Sequence, residues 1–422
     1  MHLASESMTA LRPIRVLHSL GSLRRGGIET WLINVLRQRH PQMQMDFILQ
    51  EAPGTGGDYE REALAAGCVI HHYTPASWIT KRLRILGLAP ADLTLRDVLR
   101  AGNYDALHVH GEEFIGDTVK QAAHAGTPVR VTHCHHTMLA RGKRGPEMWV
   151  RSVRHRTIER NLTLRYATDL VACGRDAGRL MLGDAWGKDP RCQVIYCGVT
   201  LGAFERALSQ TTRAELLARY ALPPDAKVIG HAGSMGPVKN HSFLVRIFAE
   251  LAKRDPRYYL FMAGDGRLRP TIEKQVRAFG LYDRARMPGL VADIPELMIH
   301  LFDVHVLPSL AEGLPVVVIE ASAAGLFTVC SNTITSELGE HLPGHLEYVS
   351  LAAPVATWAD AVEAGLRRRM LPKQAWGTVR STPLCIESSV EALVAMYRSR
   401  LDQHRARSFQ QPACVTSLGK SH

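Results

Sequence analysis

The 422-residue chain contains no run of about 18 consecutive apolar residues, the length a membrane-spanning helix needs. Its start, MHLASESMTALRPIRVLHSL, lacks a charged region followed by an apolar core and a small-residue cleavage site. It reads as a mobile tail over 1–12 leading into a strand, not as a secretory signal. Aromatic residues make up 6% of the chain, and no helix-turn-helix, zinc-finger or RNA-binding signature occurs, which argues against a nucleic-acid partner. The eight cysteines are scattered and form no Cys-x-x-Cys pair. That excludes a dense disulfide framework and favours a reducing, cytoplasmic compartment.

What the chain has in excess is positive charge, a formal +11. A basic balance predicts an anionic partner, such as a phosphorylated substrate or an anionic membrane face. Residues 141–165 concentrate it, with eight Lys/Arg against two Asp/Glu. Trp149, Val150, Val153, Ile158 and Leu162 recur among them at loosely helical spacing. Two readings stand for this stretch: a basic helix lying on anionic lipid, or a solvated helix packed by its apolar side.

Apolar, β-rich runs alternate with helical patterns. Strands are predicted at 14–20, 45–50, 68–73, 105–111, 128–135, 169–173 and 192–198, and again at 226–234, 258–266, 285–291, 303–309 and 326–332. This βαβα order implies parallel sheets with helices on both faces. The chain divides into a first Rossmann-like domain (13–204), a polar linker carrying one helix (205–226) and a second such domain (227–385). A C-terminal helix (386–403) is expected to cross back to the first domain, ahead of a disordered tail (404–422). The cleft between two such domains is the natural ligand site.

Two stretches carry the chemistry. HAGSMGPVKNH (231–241) has the pattern of a strand ending in a glycine turn that opens a helix, with Lys239 its fixed cation. Such a turn offers free N–H groups and a helix dipole to phosphate. PSLAEGLPVVVIEASAAG (308–325) places Glu312 in a loop, a helix start near Leu314-Pro315, and Glu320 about two turns on. Proline suits a helix start because its missing N–H has no partner to lose there. The N–H groups of Gly313 and Leu314 can meet a diphosphate, and the two carboxylates can accept from hydroxyls at two points of an extended ligand. Taken alone, the same two glutamates also fit an acidic residue favoured by the helix dipole and a solvent-facing neighbour.

These motifs resemble the E-x7-E signature of the retaining glycosyltransferases of family 4, which have the GT-B fold. The resemblance extends from about Ile14 to Leu401. It takes in Gly26-Gly27-Ile28-Glu29 at the Gly-Gly-x-Glu position, 169–204 at the end of the first domain, and MAGDGRLRPTIEKQVRAFGL with MPGLVADIPELM in the second. The family members it is most like build bacterial cell-surface polysaccharides. The resemblance implies two doubly wound domains facing across a cleft, with the nucleoside-diphosphate sugar on the second and a lipid-linked or oligosaccharide acceptor on the first. It implies that Glu320 holds the ribose, Glu312 contacts the transferred sugar, and Lys239 stabilises the departing diphosphate. Gly26 and Gly27 would admit the phosphates, and Leu290 lies where backbone reads the base. His133, with His135 second, would face the sugar across the cleft.

A metal is not expected, because no Asp-x-Asp occurs and the metal-dependent glycosyltransferases usually need one. His133 and His135 lie on one strand face and could share an ion, but the sequence offers no matching third ligand. His108 and His110 read as one core and one cleft residue. The main departure is Ser234, where the family usually carries an arginine that clamps the diphosphate together with Lys239. Serine keeps one donor and loses the charge and the bidentate fork. Arg267 is the expected substitute. A lesser departure is CGVT (197–200), where relatives often have Asn-Gly-Ile/Val-Asp. The sequence thus predicts a metal-independent hexosyltransferase of the cytoplasm, peripheral on the inner face of the plasma membrane. The rival readings are a degenerate nucleotide-sugar-binding scaffold and a sugar-nucleotide epimerase.

Overall fold

A computed structural model describes residues 12–51, 57–72, 93–111, 115–135 and 155–410. The first domain is a parallel sheet of seven strands: β1 (Ile14–Leu20), β2 (Met43–Leu49), β3 (Ile70–His72), β4 (Ala106–His110), β5 (Val129–Cys134), β6 (Asp169–Ala172) and β7 (Cys192–Val194). Their spatial order is β3-β2-β1-β4-β5-β6-β7. The second is a parallel sheet of six: β8 (Lys227–Ala232), β9 (Tyr258–Ala263), β10 (Ala285–Gly289), β11 (Val304–Leu307), β12 (Thr328–Ser331) and β13 (Leu346–Val349), in the order β10-β9-β8-β11-β12-β13. These are the two doubly wound domains of the GT-B architecture.

Strands such as β1 and β4 are buried along almost their whole length, because helices cover both faces of each sheet. Strand order reverses between β1 and β4 in one sheet and between β8 and β11 in the other. Ligands of open α/β sheets bind outside the carboxyl ends of strands at such reversals. The turns carrying Gly26, Lys239 and Glu312 follow β1, β8 and β11 respectively, so three of the four switch strands deliver the predicted motifs.

Several boundaries differ from the sequence reading. A helix over Leu201–Gln210 runs across the expected 204/205 border, and a second over Arg213–Arg219 follows it. The linker therefore carries two helices. Thr212 starts the second with a reciprocal capping box to Glu215, which ends the first helix locally. The edge strand β13 was not anticipated, since its short run LEYV alternates weakly. The last helix is longer than expected, Ile386–Gln410, and takes in 404–410 of the supposed tail. It lies on the first domain: Arg400 Nε donates to Asp169 at 2.8 Å, and Tyr397 bonds His108. Residues 1–11 and 411–422 lie outside the described residues, as do 136–154, which include Trp149, Val150 and Val153 of the basic stretch. Among the described residues no helix is long and apolar enough to cross a membrane.

Candidate active site

The turn after β8 is stitched to its neighbours by backbone. Gly233 (φ 155°) and Gly264 (φ 137°) adopt left-handed conformations. A Cβ at Gly264 would overlap the Gly233 carbonyl, so glycine alone lets these two loops touch. Met235 N–H donates to Asp265 O at 2.8 Å, and Leu268 N–H to Met235 O at 3.1 Å. On its other side, Leu310 N–H donates to Val238 O at 2.7 Å and Asn240 Nδ2 to Pro308 O at 3.1 Å. Asn240 takes the left-handed conformation (φ 54°) that turns the chain from a 3-10 turn (Pro237–Lys239) into the helix His241–Arg254.

These bonds bring Lys239 to Glu312. Lys239 Nζ donates to Glu312 Oε1 at 2.7 Å, and Ser309 Oγ donates to the same oxygen at 2.8 Å. Both charged groups are largely buried. The helix carrying Glu320 spans Val316–Ala323, with Pro315 as its N-cap residue. Glu320 reaches the protein surface at its edge, yet burial pushes its carboxyl up to about 7, against the pull of Lys239. No hydrogen bond or ion pair engages it among the described residues. A half-protonated carboxyl without a partner is available to hydroxyl ligands.

Lys239 stands among imidazoles. His231, His241 and His305 are buried beside it. Burial lowers all three, to about 3 in His305 and about 4 in His241, and Lys239 lowers them further. At neutral pH they add no charge, so the ammonium supplies the positive field at this corner. Ser234 is exposed, and its side chain makes no hydrogen bond among the described residues. Arg267 is exposed and has no ion pair among the described residues, on the loop tied to the Ser234 turn through Met235. Arg269, two residues on, is instead committed to Glu273 and the Met287 carbonyl at 2.8 and 2.7 Å. Leu290 is 71% exposed beside Gly289, whose carbonyl accepts from Gly264 N–H.

Gly313 and Leu314 do not lie open in the cleft as the sequence suggested. Both are buried, and a Cβ on Gly313 would overlap the His135 carbonyl and sit 3.2 Å from Cys173 Sγ. The glutamate loop thus rests against the ends of β5 and β6, with the domains closed on each other. A second contact holds them. The buried carboxylate of Glu337 accepts from Arg175 N–H at 2.7 Å, Tyr196 OH at 2.8 Å and Thr335 Oγ1 at 2.9 Å. Glu337 belongs to the second domain, Arg175 and Tyr196 to the first. Sequence inspection missed it, because a single glutamate after Thr-Ser has no motif to mark it.

On the first domain, Gly26 and Gly27 are exposed at the start of the helix Gly27–Arg37. Glu29 folds its carboxylate over Gly26, where a Cβ would collide, whereas Gly27 has open space around it. His133 does not face the cleft. It is fully buried, stacked on His135 at 4.0 Å between ring centroids and edge-on to Trp31 at 5.4 Å. His135, whose carbonyl meets Gly313, is the nearer of the two to the glutamate loop. His108 and His110 also share one fate: both are buried, stacked at 4.2 Å. Residues two apart on a strand point the same way, so neither pair divides between core and cleft. Depressions of 850 and 660 Å³ lie away from this site, around Arg213, Asp303 and Arg369 at the opposite end of the second sheet.

Known proteins bear on this geometry. A family described as Glycosyltransferase Family 4 matches residues 25–202, and one described as glycosyl transferases group 1 matches residues 212–338. The glycosyltransferase EpsF of Bacillus subtilis (strain 168) is 33% identical over 399 residues, 93% of this chain and 98% of its own. The chain belongs to the family 4 glycosyltransferases. A D-inositol 3-phosphate glycosyltransferase of Salinispora tropica is 27% identical over 94% of this chain and 86% of its own. Among solved structures, a Rickettsia africae glycosyltransferase superposes with a TM-score of 0.71 at 16% identity, over 93% of this chain and 99% of the other. Anabaena HepE in complex with UDP-glucose gives 0.65 at 19% identity, over 94% and 100%. These likenesses show the fold. In this family 4 glycosyltransferase, Lys239, Glu312 and Glu320 converge from three segments, whereas His133 joins a separate cluster.

Proposed function

We propose that this family 4 enzyme is a retaining glycosyltransferase. It moves a hexosyl group from a nucleoside-diphosphate sugar to a lipid-linked or oligosaccharide acceptor in the assembly of a cell-surface polysaccharide. The observation that carries this reading is the Lys239–Glu312 contact at 2.7 Å beside the unpartnered Glu320. The ammonium meets the charge that gathers on the diphosphate as the sugar leaves. Such stabilisation is typically worth about 3 kcal/mol for one well-placed donor. Glu312, held by Lys239 and Ser309, is positioned for sugar hydroxyls, and Glu320 for the ribose.

This reading needs no metal for the step, because Lys239 would supply a fixed cation to the departing diphosphate. Relatives and structural neighbours support the donor class: HepE was solved with UDP-glucose. The name EpsF and the resemblance to polysaccharide-building members support the pathway class. The basic stretch 141–165 would hold the enzyme to an anionic inner leaflet, where a lipid-linked acceptor resides.

The test is turnover of UDP-, GDP- and ADP-sugars, followed by the anomeric configuration of the product by proton NMR. Release of nucleoside diphosphate with retained configuration is expected. An inverted product overturns the retaining mechanism. The exposed Ser234 in place of the usual arginine favours a second reading, a nucleotide-sugar-binding scaffold. Thermal stabilisation by a donor without turnover is the outcome that selects it.

A further inference from the structure

Five histidines stack at the carboxyl ends of three adjacent strands of the first domain. They are His18 on β1, His108 and His110 on β4, His133 on β5 and His135 just beyond it, and all are buried. Strand register sets them side by side, with His18 opposite His108 and His110 opposite His133. Trp31 packs edge-on against His110 and His133.

The rings meet nitrogen to nitrogen. His18 Nδ1 lies 3.0 Å from His110 Nε2, His110 Nδ1 3.0 Å from His135 Nε2, and His108 Nε2 3.2 Å from His133 Nδ1. Two neutral imidazoles can hydrogen-bond only if one donates and the other accepts. A row of three therefore fixes every tautomer at once. Among the described residues, the outer nitrogens His18 Nε2 and His133 Nε2 are buried without a hydrogen bond of good geometry. Burying such a nitrogen unpaired costs about 1–3 kcal/mol. Five buried imidazoles that mostly satisfy one another, with two nitrogens left over, are a costly way to fill a core.

A metal ion held by His133 would give one of these two nitrogens a partner, while His18 Nε2 lies outside the ligand set. His110, His133 and His135 each offer a ring nitrogen, and the three lie within 4.8 Å of one another. A tetrahedral ion with bonds of about 2.0–2.1 Å sets its nitrogen ligands about 3.3–3.4 Å apart. His110 is the third ligand that the sequence reading of His133 and His135 lacked. It comes from a neighbouring strand about 23 residues away, which linear spacing does not reveal.

The geometry points to a binding site for a transition-metal dication of the Zn²⁺ class at His110, His133 and His135. An all-imidazole set suits Zn²⁺, Ni²⁺, Co²⁺ or Cu²⁺ and disfavours Mg²⁺, which prefers oxygen. Entry follows domain opening, since His135 lies where the glutamate loop seats. The ion ties β4 to β5 beneath that loop. It stands apart from the diphosphate corner, where Lys239 remains the cation.

The test uses the untagged full chain, stripped with chelator, loaded with Zn²⁺ or Mg²⁺, desalted and analysed by elemental mass spectrometry. Near-equimolar zinc and no magnesium are expected, with zinc lost in His110→Gln and His133→Gln and kept in the surface control His124→Gln. Cobalt loading gives a second readout, an intense visible band of tetrahedral Co²⁺ that His133→Gln abolishes. Circular dichroism establishes that each variant is folded, and the cobalt band of the wild type decides the matter if a variant is not. A wild type that retains no zinc and shows no cobalt band overturns the proposal. So does equal retention by folded His110→Gln, or loss in His18→Gln with retention in His133→Gln.

Discussion

Lys239 Nζ donates to Glu312 Oε1 across 2.7 Å, joining the turn after β8 to the loop after β11. The two residues are far apart in sequence, and each comes from one side of the strand-order reversal in the second sheet. The pair neutralises itself in the absence of donor. On the proposed function, a bound diphosphate would compete with Glu312 for the ammonium and leave the carboxylate free to receive the sugar.

Lys239→Ala removes the cation that, on the proposed function, meets the leaving diphosphate. Turnover with the best donor is expected to fall roughly 100- to 1,000-fold. Lys239→Arg should recover part of it, since charge is kept while the reach changes. Steady-state kinetics with saturating donor check this, and a loss below tenfold would assign the charge stabilisation elsewhere.

Ser234→Arg restores charge and a two-pronged donor beside Lys239. Donor affinity and turnover are expected to rise. Arg267→Ala should lower both, because Arg267 is an exposed cation on the loop stitched to this turn. Calorimetric titration with nucleoside diphosphate measures the affinities. Unchanged values in Arg267→Ala would remove that residue from the site.

Glu320 carries a pH signature. Its folded carboxyl titrates at about 7, above the ordinary value of 4.5. Between those two pH values the folded state holds more proton than the unfolded state, so this group's contribution makes stability fall as pH rises. Glu320→Gln lacks that slope. The melting temperature of the variant minus that of the wild type should therefore grow from pH 4.5 to 7 and level off above. Ribose binding needs an acceptor oxygen, so nucleotide affinity of the wild type should improve through pH 7. A flat difference in melting temperature would mean that the carboxyl is ionised throughout.

Gly313→Ala places a Cβ against the His135 carbonyl and prevents the glutamate loop from seating on the first domain. Turnover should drop at least tenfold, with a larger radius of gyration by small-angle scattering. An unchanged radius together with full turnover would show that this contact is dispensable to closure.

Glu337→Ala leaves Tyr196 OH and Arg175 N–H without their shared acceptor. Removing a buried carboxylate that binds several donors costs on the order of 3 kcal/mol. Urea unfolding should show this loss, and a change below about 0.5 kcal/mol would place the domain contact elsewhere.

Much of the fold was legible because buried parallel strands are predominantly apolar and β-rich and are separated by helical patterns. β1 was read at its observed limits, Ile14–Leu20. The edge strand β13 was not, because an edge strand carries a weaker apolar signal. The helix start at Pro315–Val316 was readable from local chemistry. Burial of Gly313, the Glu337 contact and the closing of the domains were not, since each depends on residues more than a hundred positions apart.

By itself the sequence determined two doubly wound domains, the loop position of Glu312, the helix position of Glu320 and the presence of Ser234, not a second cation, in the turn before Lys239. These follow from periodicity, turn chemistry and residue identity, which are local. The tertiary structure alone decided that Lys239 pairs with Glu312, that Glu320 titrates near neutrality, and that His133 joins four other imidazoles instead of facing the cleft. Strand register and burial decide those outcomes, because distance and dielectric depend on which segments the sheet order sets side by side.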